Sequence, residues 1–188
     1  MVRTLVIDAH ADTLLKKYYA TIQTDTFIFL GVGKPKVNYH VTKELLIQGG
    51  VNTQIFALYV PTELENLGIE ITLEMIALAR QMEKEDGYLL IKSKSDLHKV
   101  ENQQELIGMV LSMEGTLGLD RNLRLLPLFY ELGVRCIGLT WSRKNLFAEG
   151  IMKNIGLEDG EGLSVHGKKL LEEMENLGIL VDISHLNR

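Results

Sequence analysis

Short apolar runs rich in β-branched residues alternate along the chain with longer segments in which apolar residues recur every three or four positions. That alternation predicts βα units around a parallel sheet. The strand-like runs are 4–7, 51–60, 88–91, 107–113, 134–140 and 179–184. Helical spacing is clearest over 64–84, where Leu67, Ile71, Met75, Leu78, Ala79 and Met82 mark one face, and it recurs over 119–132 and 164–177. Gly133 and Gly178 each stand between a helical run and a strand, where a helix-terminating glycine belongs, and Ser164 offers an N-cap hydroxyl.

Two segments break the alternation. Residues 19–37 include Gly31-Val32-Gly33-Lys34-Pro35, and residues 143–162 are rich in glycine and charge, as expected of a loop that covers a site. No repeat and no Ser/Gly/Pro linker divides the chain, so 1–188 reads as a single domain. With 46% hydrophobic and 24% charged residues it can bury a core. A net charge of −5 without a long basic run disfavours a nucleic-acid surface. One cysteine, Cys136, cannot close an internal disulfide, which points to a reducing, cytoplasmic setting. The N-terminal apolar stretch is too short for a signal peptide, and nothing approaches the ~18 apolar residues of a membrane span. A soluble, unanchored protein is expected, and assembly as a homodimer is compatible with the sequence.

Candidate chemistry gathers at strand ends. Parallel sheets and eight-stranded barrels build their sites at the C-terminal edge of the strands. The first run leads into His10-Ala11-Asp12, and residues two apart in an extended segment share a side, so imidazole and carboxylate can converge on one cation. Glu114 follows a buried strand, where an ionised carboxylate needs a strong partner. A cation is one solution, and an arginine such as Arg121 or Arg143 is the other. His185 ends the last run, with Asp182 three residues earlier either orienting a ligand or capping a loop. Together they form a mixed N/O donor set suited to zinc or a related divalent ion, with Glu114 able to bridge two ions and act in catalysis. Metal-dependent hydrolysis is the leading class.

Five blocks carry a resemblance. Ile7-Asp8-Ala9-His10-Ala11-Asp12-Thr13-Leu14, the stretch from Gly49-Gly50-Val51 to Tyr59-Val60-Pro61, Met113-Glu114-Gly115, the stretch from Leu132-Gly133-Val134 to Leu139-Thr140-Trp141, and the stretch from Leu177-Gly178-Ile179 to Asp182-Ile183-Ser184-His185 resemble, in order, the membrane (renal) dipeptidase family of metal-dependent amidohydrolases. The resemblance implies a TIM-type (β/α)₈ barrel with two zinc ions, His10 and Asp12 on the first, Glu114 bridging and His185 on the second. It further implies that a metal-bridging hydroxide attacks the peptide bond of a small dipeptide substrate. Trp141 stands where mammalian members place a substrate-contacting histidine, and is the candidate substrate-binding residue here. The family continues to another zinc histidine, a substrate-binding arginine and an acid/base aspartate, which do not occur before Arg188.

A barrel needs about 250 residues, roughly 31 per unit, so 188 residues supply about five to six strands. An incomplete N-terminal portion of the barrel is the expected fold. Alternatives are a non-catalytic, barrel-derived binding module and another metal-dependent amidohydrolase acting on a small amide. Gly31-Val32-Gly33-Lys34 does not complete a phosphate-binding loop, since Pro35 follows the lysine where Ser or Thr is required. His40, His98 and His166 are expected at the surface, and Cys136, Met109 and Met113 in the core.

Overall fold

The computed structural model describes residues 4–22, 38–153 and 162–187. Six strands, β1 (Ile7–Ala11), β2 (Thr53–Tyr59), β3 (Tyr88–Leu90), β4 (Ile107–Glu114), β5 (Val134–Gly138) and β6 (Leu180–Asp182), form one sheet in which every pairing is parallel. The order is β1-β2-β4-β5-β6. Along one edge β4 pairs with β2 over its length, and the opposite edge is shared by β3 at Ile107–Met109 and β5 from Leu111 onward. Among the described residues six helices accompany the strands: α1 (Thr13–Thr21), α2 (Lys43–Gln48), α3 (Gly68–Glu85), α4 (Lys94–Asn102), α5 (Leu126–Leu132) and α6 (Val165–Leu177). The result is a curled parallel sheet with helices, the expected partial barrel.

Burial explains the strand compositions. β2 and β4, central in the sheet, are buried or half-buried at every position and mostly apolar, as parallel strands covered on both sides are. The terminal strands β1 and β6 are largely exposed. Phe56, Leu58, Met109 and Met113 share one core with Ile71, Met75, Ala79 and Met82 of α3. The opposite face is stacked in layers set by the register. Ala57, Ser112, Cys136 and Leu180 are aligned across four strands, and Tyr59, Glu114, Gly138 and Asp182 form the next layer toward the C-terminal edge.

The first strand is not the predicted 4–7. Asn52 holds the chain just before β1, donating to the Thr4 carbonyl and accepting from Val6 N–H, and the strand runs on through His10. Its register to β2 shifts between Asp8 and Ala11, where three steps on β1 match two on β2. Asp8 pairs with Gln54, whose amide donates to the Asp8 carboxylate at 2.6 Å, while Ala11 aligns with Phe56 in the core. His10 and Asp12 therefore lie on the face opposite Ala11. Such bulges re-aim side chains beside sites.

Helix boundaries also differ. The 119–132 run is helical only over Leu126–Leu132, because Asp120 turns back to accept from Arg124 and Leu125 N–H and Leu123 adopts a positive φ of 59°. The 64–84 run divides into a 3₁₀ turn, Thr62–Leu67, and α3. α1, α2 and α4 carry no sequence period because each buries only one or two residues. α1 occupies the start of the expected 19–37 loop, and the glycines and lysine of 31–34 fall outside the described residues. Within 143–162, residues 143–153 form turns and the 3₁₀ turn Ile151–Lys153, with 154–161 again outside the described residues. His40 and His98 are exposed, His166 is half-buried, and Cys136 is buried.

α6 packs unusually close to the loop after β5. A Cβ on Gly167 would lie 2.0 Å from the Phe147 carbonyl oxygen, so only glycine permits this approach. Gly167→Ala should lower stability by about 1–3 kcal/mol, read as a lower denaturant midpoint, whereas Lys168→Ala, one step along on the exposed side, should stay within about 0.5 kcal/mol.

Candidate metal centre

The four predicted ligands meet at the C-terminal edge of the sheet. Glu114, the last residue of β4, is central: its side chain is only 13% exposed, and its two oxygens face different histidines. Oε2 lies 3.6 Å from His10 Nε2, and Oε1 lies 3.3 Å from His185 Nε2. Asp12 Oδ1 lies 3.5 Å from the same His10 nitrogen. Ligand atoms of His10, Asp12 and Glu114 all fall within 4.8 Å of one another, while His185 stands outside that group and joins it through Glu114. No ion pair joins Glu114 to Arg121 or Arg143 among the described residues, so the arginine alternative does not hold.

These spacings fit the chemistry. Tetrahedral N and O ligands about 2.0–2.2 Å from a zinc-like ion are separated from each other by roughly 3.4 Å. The observed contacts cluster around that value and are longer than ordinary hydrogen bonds. One imidazole and two carboxylates make a mixed N/O set, and the fourth residue extends it across a shared carboxylate.

The electrostatics are those of a coupled cluster of imidazoles and carboxylates. The Asp12 contact, with Glu114 and Asp182 adding their charge, raises the His10 pKa above the ordinary histidine value. Asp12 is lowered chiefly by His10. Burial raises Glu114, partly offset by the two histidines. Burial pushes the neighbouring Tyr59 phenol up to about 12, with Glu114 contributing, so its hydroxyl stays protonated.

His185 is held by backbone rather than by its ring. It adopts a positive φ of 64°, and its carbonyl accepts from Ile151 N–H at 2.9 Å and Thr140 Oγ1 at 3.2 Å. Ser142 Oγ lies 3.5 Å from Nδ1, leaving Nε2 toward Glu114. Trp141 lies between Tyr59 and His185, its ring tilted to both, with centroids 5.2 Å and 6.1 Å away. Asp182 accepts from Ser184 N–H at 2.8 Å, which is the capping alternative, while its charge also reaches His10. Sequence reasoning missed Tyr59, Thr140 and Ser142. Tyr59 is legible as the last inward residue of a predicted strand, whereas the Thr140 and Ser142 hydroxyls meet His185 only across a separation of more than forty residues that no local pattern encodes.

Comparison with known proteins decides the family. The family model described as membrane dipeptidase, peptidase family M19, matches residues 1–188. The chain belongs to the membrane dipeptidase family. Mouse dipeptidase 3 is 33% identical over 143 residues, covering 74% of this chain and 28% of that protein. Among solved structures, dipeptidase AC, a metallopeptidase of family M19, superposes with a TM-score of 0.80 at 25% identity over 98% of this chain and 57% of its own. A Rhodobacter sphaeroides metallopeptidase liganded with a phosphinate mimic of the dipeptide L-Ala-D-Ala gives a TM-score of 0.78 at 23% identity, covering 100% of this chain and 60% of that one, which supports the shared fold. The chain thus spans little more than a quarter of the mouse relative's length and somewhat over half of the two solved structures.

Proton competition at this centre has a definite sign. A ligand must lose its proton to bind a metal, and His10 and Glu114 both hold theirs to higher pH than usual. Metal affinity should therefore weaken as pH falls, beginning above the ordinary histidine range of about 6.5. A chelator-competition titration from pH 8 to pH 5 measures this. His10→Ala should cost at least about 100-fold in affinity, while His40→Ala should change it little.

Proposed function

We propose that the protein is a zinc-dependent metallodipeptidase, with His10 and Asp12 holding one ion, Glu114 bridging and His185 contributing to a second. The observation that carries this is the division of the Glu114 carboxylate, with each oxygen facing a different histidine at a ligand-to-ligand spacing. A single-ion site has no use for that arrangement. When bound, the metal supplies Lewis-acid polarisation of the scissile carbonyl and a more acidic water.

The chain's own residues do the rest. Glu114, largely withdrawn from solvent, directs its charge to the two histidines and not to bulk water. The Tyr59 hydroxyl remains a donor at any working pH, placed in the same layer as Glu114. Trp141 offers an aromatic wall and one indole N–H, in place of an imidazole, against which a substrate side chain can pack. Membership of the family and the name of dipeptidase AC support a small dipeptide as substrate. No helix among the described residues is long and apolar enough to cross a membrane. The buried free Cys136 supports a reducing, cytoplasmic setting, and a homodimer is compatible with this reading.

The test is hydrolysis of a dipeptide panel by the zinc-loaded complete gene product, with metal content measured in parallel. Glu114→Gln should lower kcat/KM by on the order of 100-fold or more, and Trp141→Ala should act mainly on KM if the indole serves binding. Zinc that stays substoichiometric, together with an inert His10→Ala substitution, would overturn the assignment. Stoichiometric zinc with no turnover would favour the binding-module alternative.

A further inference from the structure

Glu114 lines two cavities. One is the inward face of the sheet, shared with His10, Cys136, Asp182 and His185. The other, about 450 Å³, lies outside the metal centre between the loops that follow β4 and β5. Its walls are apolar where Val60, Leu117, Trp141 and Leu146 contribute, and its charged groups besides Glu114 are Glu65, Arg143 and Lys144.

Of the two cations, Arg143 is the one that no described residue engages. Its side chain is exposed and makes no ion pair with any described residue. Its backbone, in contrast, is fixed on both sides. The Ser142 carbonyl accepts from Met152 N–H at 2.7 Å, and Gly150 packs against Ser142 so closely that a Cβ would lie 2.5 Å from its carbonyl. Two residues on, Asn145 bonds the Leu139 carbonyl and Thr116 through its amide nitrogen and accepts from Phe147 and Ala148 N–H through its oxygen. A rigid loop therefore presents an uncommitted guanidinium at a cavity whose inner wall is a metal-ligand carboxylate. Guanidinium recognises carboxylate in a bidentate, geometrically selective way. Glu65, on the 3₁₀ turn after β2, is the opposing charge and would disfavour an anion placed on its own side.

We propose that Arg143 makes this cavity a side-chain specificity pocket for dipeptides that carry a side-chain carboxylate. The inference rests on the dipeptidase reading and adds a substrate class to it. Arg143 is a specificity residue here and takes no part in bond cleavage.

The experiment compares isosteric pairs, Ala-Asp with Ala-Asn, Ala-Glu with Ala-Gln, and Asp-Ala with Asn-Ala, on the zinc-loaded complete gene product. For at least one pair, kcat/KM should favour the acid by about 10–100-fold, the discrimination expected of one charge-assisted bidentate contact. Arg143→Gln should collapse that ratio to within about threefold, Arg143→Lys should restore part of it, and Arg143→Glu should turn the preference toward a lysine-containing dipeptide. Absence of any acid preference in the unaltered protein overturns the proposal, whatever the variants do, and so does a preference that survives Arg143→Gln. Failure to hydrolyse any dipeptide removes the dipeptidase reading and the proposal with it. Hydrolysis without acid preference removes the proposal alone.

Discussion

A carboxylate withdrawn from water at the end of a central strand is the constraint around which this structure is arranged. Leaving Glu114 ionised without partners would cost several kcal/mol. The fold answers with two imidazoles, one from β1 and one from the turn after β6, each directed at a different oxygen. That requirement reaches far along the chain, because the two histidines are 175 residues apart, at positions 10 and 185. The register from β2 through β6 keeps Glu114 in one layer with Tyr59, Gly138 and Asp182. Two bonds to the His185 carbonyl then hold a left-handed backbone that a histidine seldom adopts.

Rigidity near the site comes from backbone contacts more than from side-chain packing. Gly167 against Phe147 and Gly150 against Ser142 bring chain segments closer than any other residue permits. Asn145 replaces a run of secondary structure by satisfying four backbone or hydroxyl groups itself. The loop after β5 is in this way held between α6 and the turn carrying His185. Trp141, Ser142 and Arg143 inherit their positions from it.

Much of this was legible beforehand. The parallel βα organisation, the ligand set at one strand edge and the family resemblance all rest on features that a sequence displays directly: period, strand ends and residue type. The 119–132 and 4–7 assignments failed where a side chain overrode periodicity, Asp120 by turning the chain back on itself and Asn52 by pinning the segment before β1. The short helices α2 and α4 escaped because a single buried residue, Leu46 or Val100, cannot make a period. The cavity at Arg143 was invisible for a different reason. The sequence offers Arg143 as an ion partner of Glu114, and only the three-dimensional arrangement shows that the histidines fill that role.

The bulge in β1 divides that strand into two reading phases. Residues before it are set by their partners on β2, as Asp8 is by Gln54, and residues after it by the core on one side, which takes Ala11, and by the Glu114 cluster on the other. Point substitutions on either side can thus accumulate independently. The loss of one residue between them cannot, since it would rotate His10 and Asp12 toward the apolar layer and Ala11 toward Glu114. Among the insertions and deletions available to this segment, the smallest is the most damaging, and a pair that restores the phase would be harmless by comparison.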